Sequence, residues 1–324
     1  MKSQLKILSC LVAALALAQA QVVSAQSADN FPSKPVTIIA NVAAGGPTDI
    51  EARLHSKKMT ELLGQTFIVD YKPGASGNIG AAYVARAKPD GYTVLVVSAS
   101  FTILPAFMEQ PFDVEKDFSP ITVISQRTSV LVVNPAFPAK NIQEYVAYAR
   151  ANPGKINFGW VGPGVVSGAL LHSSTNTRAT FIPYKGTAPI MNDLVAGRLD
   201  VSSATLTLAL PLIKAGKLRP LGTLNDKRTP LLPEVPTIKE QGVPDFNVEA
   251  WLGYLAPAQT PSAIVNKLSQ NFARAVKSPE IASILEAEGN IPWGTTPEQF
   301  RQIIASETGR WRKLAKETGL KLQE

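Results

Sequence analysis

An α/β architecture of two lobes with a helical C-terminal tail is predicted by three observations. Apolar, β-branched runs alternate with amphipathic stretches along most of the chain, joined by short connections. The length of 324 residues suggests two units with ample core, at roughly 100–200 residues per domain. The last quarter changes character: Thr260-Pro261, Ser278-Pro279 and Thr296-Pro297 each place an N-cap hydroxyl before a proline suited to the first helical position.

The elements follow in order. Residues 36–42 are apolar and β-branched and read as a strand; a glycine-rich turn and an amphipathic segment over 49–63 come next. Residues 65–71 form a second strand, followed by another glycine-rich turn and a small-residue helix over 78–87; residues 92–98 are a third strand. This β-loop-α repetition predicts a parallel sheet with helices on both faces. Further strands are expected at 121–125, 130–133, 157–161, 180–184, 199–203 and 218–224, and residues 247–255 look extended. Ile142, Tyr145, Val146 and Ala149 make one helical stripe that ends at Asn152-Pro153-Gly154. Phe300, Ile303, Ile304, Trp311 and Leu314 give the last helix a long apolar face.

Composition narrows the function. A hydrophobic fraction of 45% excludes a disordered chain. The only histidines are His55 and His172 and the only cysteine is Cys10, too few for a His/Cys zinc site, so no metal or cofactor is expected. Residues 1–25 read as a secretory signal: Lys2 and Lys6 are basic, residues 7–18 are apolar, and small-x-small cleavage sites end at Ala20 and Ala25, the latter favoured. Cys10 would leave with it, and the product would be soluble and periplasmic. Loss of Lys2 and Lys6 takes the formal net charge from +7 to +5. The basic runs Lys57-Lys58 and Arg310 to Lys313 read as solvated helix faces, and nothing suggests a nucleic-acid partner.

The richest local chemistry lies in the two glycine loops, at the carboxyl ends of strands where open α/β sheets gather ligands. The first comprises Asn41, Val42, Ala43, Ala44, Gly45, Gly46, Pro47, Thr48 and Asp49, with Thr48 and Glu51 at capping-box spacing. The second runs from Lys72 through Gly74, Ala75, Ser76, Gly77 and Asn78 to Gly80. Two helix N-termini facing one cleft would favour an anion, most simply a carboxylate. Neither loop is a nucleotide motif. Asp49, at a helix start, is expected to cap.

These strings resemble a known family. GGPTDIEAR (45–53), KPGASGNIGA (72–81), KPDGYTVLV (88–96), NPGKINFG (152–159), PYKGTAP (183–189) and AGKLRPLG (215–222) occur in the order seen in Bug-type extracytoplasmic solute receptors of the tripartite tricarboxylate transporter family. The resemblance runs from about Phe31 to the C-terminus. It implies a type II periplasmic-binding fold, with two lobes, two hinge crossings and a ligand clamped between. Lobe 1 would combine residues 26–126 and 249–324, and lobe 2 residues 127–248. It also implies that backbone groups of residues 42–49 and 74–78, with bridging waters, hold a ligand carboxylate.

The chain departs from the family pattern where the second lobe reads the far end of the ligand. Asn41-Val42 replaces Pro-Phe, and Trp160 and Val161 replace hydroxyls before Gly162-Pro163-Gly164. The stretch from Phe158 to Gly186 is about three residues shorter than usual, and Ala204-Thr205 replaces an acidic or amide pair. These changes suggest a less polar ligand, with an aromatic carboxylate as one option and Phe101 and Trp160 as its ring contacts. Ordinary core or hinge packing is the alternative for both rings. Thr187 is the preferred direct hydrogen-bond partner, ahead of Lys185; Arg127 is a further anion candidate, or else an exposed arginine.

The expected activity is non-enzymatic: a monomer that closes on a small organic carboxylate and delivers it to integral-membrane transporter subunits. A sensing module for a signalling receptor is the alternative. A periplasmic hydrolase using His172 with Ser167, Ser173 or Ser174 is a third class, although no Gly-x-Ser-x-Gly elbow is present. His55 falls with Ala52, Met59 and Leu62 on one helical face, which suggests a partly buried residue.

Overall fold

The computed structural model describes residues 30–184 and 186–321; the signal expected over 1–25, with Cys10, and Lys185 lie outside the described residues. The chain starts a first lobe with β1 (Val36–Ala40), α1 (Pro47–Leu63), β2 (Phe67–Tyr71), α2 (Asn78–Ala85), β3 (Thr93–Ser98), the short α3 (Ser100–Ile103) and β4 (Phe118–Arg127). A second lobe follows: β5 (Ser129–Val133), α4 (Ile142–Ala151), β6 (Asn157–Trp160), α5 (Val165–Ser174), β7 (Thr180–Pro183), α6 (Thr187–Val195), β8 (Val201–Thr205), α7 (Leu206–Lys214) and β9 (Arg219–Thr223). The chain then returns through β10 (Ala250–Pro257), α8 (Ser262–Val276), α9 (Pro279–Ala287), β11 (Ile291–Pro292) and α10 (Pro297–Thr318).

The first sheet runs β11-β4-β10-β3-β1-β2 and the second β7-β6-β8-β5-β9. In β1, Ile38 and Ile39 lie between Val69-Asp70 of β2 and Val94-Leu95 of β3, all three strands parallel. That register brings the carboxyl ends of β1 and β3 to the same edge, which faces the second lobe.

Neither sheet is wholly parallel, a correction to the expectation. β10 is antiparallel to both β3 and β4, and β5 is antiparallel to both β8 and β9. The cause is topological. The chain leaves the first lobe along β4 and comes back along β10, so the two neighbours must run in opposite senses. β5 enters the second lobe against its β-α-β units for the same reason.

The tail is also less uniform than its sequence suggests, because β11 pairs with β4. Its three hydroxyl-proline starts behave differently. Thr296 forms a full capping box with Gln299. Ser278 occupies the N-cap of α9, but its Oγ donates to the Ala275 carbonyl instead. At α8 the N-cap is Pro261, and Thr260 Oγ1 donates to Pro257. α10 packs on β4 and α3 of the first lobe and on α5 of the second, with Phe300, Ile304, Trp311 and Leu314 buried. The tail therefore bridges the lobes rather than extending from one of them. No helix among the described residues is long and apolar enough to cross a membrane.

Candidate ligand-binding cleft

Between the lobes lies a cleft of about 350 Å³, floored by the two crossings. The first lobe contributes Ser98 at the end of β3 and Ser100 at the start of α3; the second contributes Ser167 on α5 and Ser203 in the middle of β8. Of the residues singled out from the sequence, Thr187, Ala204 and Thr205 line it, together with Arg127 and Ser167. Gly164, Gly186 and Thr205 are the N-caps of α5, α6 and α7, and none of these helices has a side-chain cap. Three helix starts thus converge on the second-lobe wall, each adding partial positive charge from first-turn N–H groups. Ser167 Oγ lies 2.8 Å from both Ser203 Oγ and the Gly164 carbonyl, which fixes the hydroxyl pair on this wall.

The first glycine loop is placed differently from the expectation. None of Val42, Ala43, Ala44, Gly45, Gly46, Thr48 or Asp49 lines the cleft. The Gly45 N–H donates to Asp49 Oδ2 at 2.8 Å, and Asp49 Oδ1 accepts from Arg53 Nε at 2.9 Å and from the Tyr71 hydroxyl. Burial pushes the Asp49 carboxyl up, but the bonds from Tyr71, Gly45 and Arg53 outweigh it and hold the group below the usual carboxylate range. Asp49 thus secures the loop as expected of a group at a helix start. The Thr48–Glu51 capping box does not form, because α1 is capped at Gly46 without a side chain and Glu51 is used elsewhere.

The second loop borders the cleft. Gly74, Ala75, Ser76 and Gly77 all have positive φ, at 115°, 47°, 55° and 95°. Two consecutive non-glycine residues in this region store strain, a feature that concentrates at ligand sites. Ser76, Gly77 and Asn78 join Asn41, Ser100 and Phe101 around a recess of about 10 Å³. Ser100 belongs to both recess and cleft, so the second loop reaches the cleft through that residue. A Cβ at Gly77 would lie 2.5 Å from Asn41 Nδ2, so only glycine lets the loop close on β1.

Phe101 and Trp160 both lie off this cleft. Phe101 is buried, stacked on Phe112 at 5.9 Å and edge-on to Phe118 at 5.2 Å, and meets only the recess. Trp160 packs against the main core with its Nε1–H unpartnered, and Val161 packs with Ile182 and Tyr184; neither lines the cleft. Phe101 points from α3 into the Phe112–Phe118 cluster, and the adjacent Trp160 and Val161 pack into two different core clusters. The aromatic side chain that does line the cleft is Trp251, on the second crossing.

The crossings carry the charged groups. On the first, Arg127 gives Nη2 and Nε to Glu51 Oε1 at 2.8 and 3.2 Å, while Ser125 Oγ donates to Glu51 Oε2. Arg127 is therefore neither a free anion partner nor an exposed arginine, but a half-buried member of an ion pair at the cleft wall. On the second, Glu249 lines the cleft and accepts from Asn247 Nδ2 at 3.2 Å. Behind it, Glu307 of α10 accepts from Thr102 Oγ1 at 2.6 Å and Trp251 Nε1 at 3.1 Å. Burial pushes the Glu307 carboxyl up to about 7 despite these bonds and the nearby Arg310. Arg310 itself turns inward over the Trp311 ring at 4.4 Å, so the run from Arg310 to Lys313 is not a wholly solvated face.

The histidines stand away from this chemistry. His172 is buried between the Tyr145 hydroxyl at 3.0 Å and Thr177 Oγ1 at 2.7 Å, so it is not paired with Ser167, Ser173 or Ser174. His55 is wholly buried in α1, edge-on to Tyr254 and Phe272, with neither ring nitrogen hydrogen-bonded. Burial lowers both to about 4, so both are neutral at physiological pH. Sequence reasoning did not single out Ser98, Ser100, Ser203, Glu249 or Trp251 as ligand contacts. The available signal was position alone: Ser98 closes a strand, as do the residues before the glycine loops.

Comparison with known proteins decides the family. The family described as "Tripartite tricarboxylate transporter family receptor" matches residues 51–320. The chain belongs to this family. A Pseudomonas sp. relative, the UPF0065 protein in the tcbD-tcbE intergenic region, is 37% identical over 295 residues, covering 90% of this chain and 88% of its own. Among solved structures, R. palustris Rpa4515 with adipate is similar at 33% identity with TM-score 0.76, covering 90% of this chain and 99% of that one. The periplasmic binding protein BugD is similar at 32% identity and TM-score 0.73, covering 90% of this chain and all (100%) of that one. The receptor is thus Bug-type, with the two-lobed type II periplasmic-binding fold.

Proposed function

We propose that this receptor is exported, clamps a small organic carboxylate between its lobes without turning it over, and presents the closed form to integral-membrane transporter subunits as a monomer. The observation that carries the reading is the cleft itself: serine and threonine hydroxyls and uncapped helix starts meet there from two lobes that the chain connects by two crossings. The adipate-bound relative, one-third identical over nine-tenths of this chain, supports a carboxylate as ligand.

The lobe boundaries at 126/127 and 248/249 are consistent with β4 ending at Arg127, β5 starting at Ser129 and β10 starting at Ala250. Residues 1–25 are read as the export signal and residues 26–126 as the first part of lobe 1. Closure would follow from differential affinity: groups on both walls bond one ligand only when the lobes approach. Val42 to Asp49 act in this reading by shaping the first-lobe wall; Gly74 to Asn78, Thr187, Ala204 and Thr205 meet the ligand. An aromatic acid would stack on Trp251 in place of Phe101 and Trp160.

Calorimetric titration with succinate, adipate, glutamate, benzoate and terephthalate tests the reading. At least one acid should bind, with affinity lost when Ser203→Trp fills the cleft. Heat signals that are blank for every acid, or undiminished in the variant, would remove the cleft as the ligand site.

A further inference from the structure

The amino ends of the first-lobe strands open onto a groove of about 640 Å³, away from the cleft, lined by Lys34, Tyr83, Arg86, Lys88, Asp90 and Tyr92. Thr37 of β1 and Thr93 of β3 also line it, and Thr37 pairs with Ile68 of the edge strand β2. Residues paired across a parallel ladder point to one face, so Ile68 continues this row to the sheet edge, where it is exposed. Ile79 and Tyr83, four residues apart on the outer face of α2, are also about half exposed. Apolar groups left in water side by side, with charges around them, mark an interaction surface.

The groove carries an excess of positive charge. Its one lining carboxylate is Asp90, which is already used: Oδ2 meets Lys34 Nζ at 3.9 Å, and Oδ1 accepts from the Tyr92 N–H at 3.1 Å. Lys34 also lies over the Tyr92 ring at 4.3 Å. Beside the groove, Lys72 meets Asp70 at 3.5 Å and lies over the Tyr83 ring at 4.4 Å. Arg86 and Lys88 have no ion pair among the described residues, and both are exposed.

A segment that suits this surface brings carboxylates for Arg86 and Lys88 and an apolar side chain for Ile68, Ile79 and Tyr83. A lipid surface is a poorer match: recruitment by charge uses clusters of about four to eight basic residues, and here two are unengaged. A second copy of this chain is disfavoured by its own net charge of +7. Position adds a further argument. α2 starts at Asn78, directly after the second glycine loop, and a Cβ at Gly74 would lie 2.8 Å from Ile79 Cδ1. The patch thus runs from the loop that borders the cleft to the opposite end of the same lobe, and a partner seated on Ile79 also touches that loop.

We propose that the outer face of α2 and the groove beside it form the docking surface for an acidic extracytoplasmic segment of an integral-membrane transporter subunit. The inference rests on the delivery reading and specifies the surface that serves it. It assigns docking to the outside of the first lobe rather than to the second lobe.

The experiment is photo-cross-linking of the full chain in the cells that natively make it. Tyr83, Val195 and Leu208 are replaced one at a time by p-benzoylphenylalanine; the last two are exposed positions on the second lobe. Position 83 should give an adduct with an integral-membrane protein, and the linked peptide should contain Asp or Glu. Arg86→Glu combined with Lys88→Glu should lower that yield at least roughly tenfold, because like charges then face each other across the contact. Calorimetric affinity of the same double variant for a carboxylate should stay within a few fold, which also reports that it is folded. Membrane-protein adducts from position 195 or 208 but not from 83 would overturn the assignment and leave the delivery reading intact. An adduct at 83 with lipid or with a second copy, or a yield indifferent to the double variant, would also overturn it. Absence of membrane-protein adducts at all three positions would overturn it together with delivery, while carboxylate binding is judged by the calorimetry alone.

Discussion

The two crossings between the lobes solve the same electrostatic problem in opposite ways. At the first, one carboxylate meets one guanidinium: Glu51 takes Arg127 on one oxygen and Ser125 on the other. At the second, Glu249 and Glu307 share Arg310, Asn247 Oδ1 has no partner, and Glu307 is pushed up to about 7. A satisfied buried pair rigidifies the segment that carries it, whereas an under-satisfied one is where an added group gains most. The first crossing is thus the structural tie and the second the less completely paired segment, with Asn247 Oδ1 and Arg310 Nε both unpartnered.

The largest effect is expected from breaking the tie. Glu51→Ala leaves the half-buried Arg127 without its partner and should cost about 2–4 kcal/mol, below the cost of breaking a fully buried pair, read as a lowered urea midpoint. A loss below roughly 1 kcal/mol would equate this pair with a surface ion pair and dissolve the contrast between crossings.

A smaller cost, with a larger functional consequence, is expected at the second glycine loop. Gly77→Val imposes a β-branched side chain at φ 95° and a Cβ 2.5 Å from Asn41 Nδ2. Strain of roughly 1–3 kcal/mol should leave the protein folded by circular dichroism but abolish carboxylate binding. Unchanged affinity in the folded variant would detach this loop from the cleft.

The smallest effect is a slope. The folded-state value of Glu307 lies at about 7, above its ordinary 4.5, so the folded protein holds this proton over that interval and the unfolded chain does not. Its contribution to stability is therefore full below about 4.5 and is lost as pH rises through about 7. Glu307→Gln should flatten this part of the profile in denaturation series run at several pH values. An unaltered slope would place the excess proton elsewhere and restore balance to the second crossing.

How far the sequence carried these conclusions differs by element. The strands and helices of the β-loop-α units were legible because burial imposes period 2 or 3.6 on local residues. Strand direction at β5 and β10 was not, since it depends on where the chain leaves and re-enters each lobe. Glu51 illustrates the same gap at the site: three residues after Thr48 it fits a capping box, yet its partners are Ser125 and Arg127. Glycine loops could be found because glycine marks unusual backbone; Ser98, Ser100 and Ser203 are single hydroxyls with no local pattern, and Glu249 lies in a long irregular connection. Phe101, on α3, and Trp160, at the end of β6, show that an aromatic near a strand end does not reveal which neighbours it packs against.

The central claim is that the ligand sits between the hydroxyl walls above the second crossing. A crystal structure with the tightest-binding acid from the titrations tests it most directly. The account predicts the carboxylate against the starts of α5 and α6, within hydrogen-bond distance of Thr187 or Ser203, with the lobes closer than in the unliganded protein. Density for the acid elsewhere, such as the apolar cavity of about 310 Å³ beside Ile50 and Leu208, would contradict it.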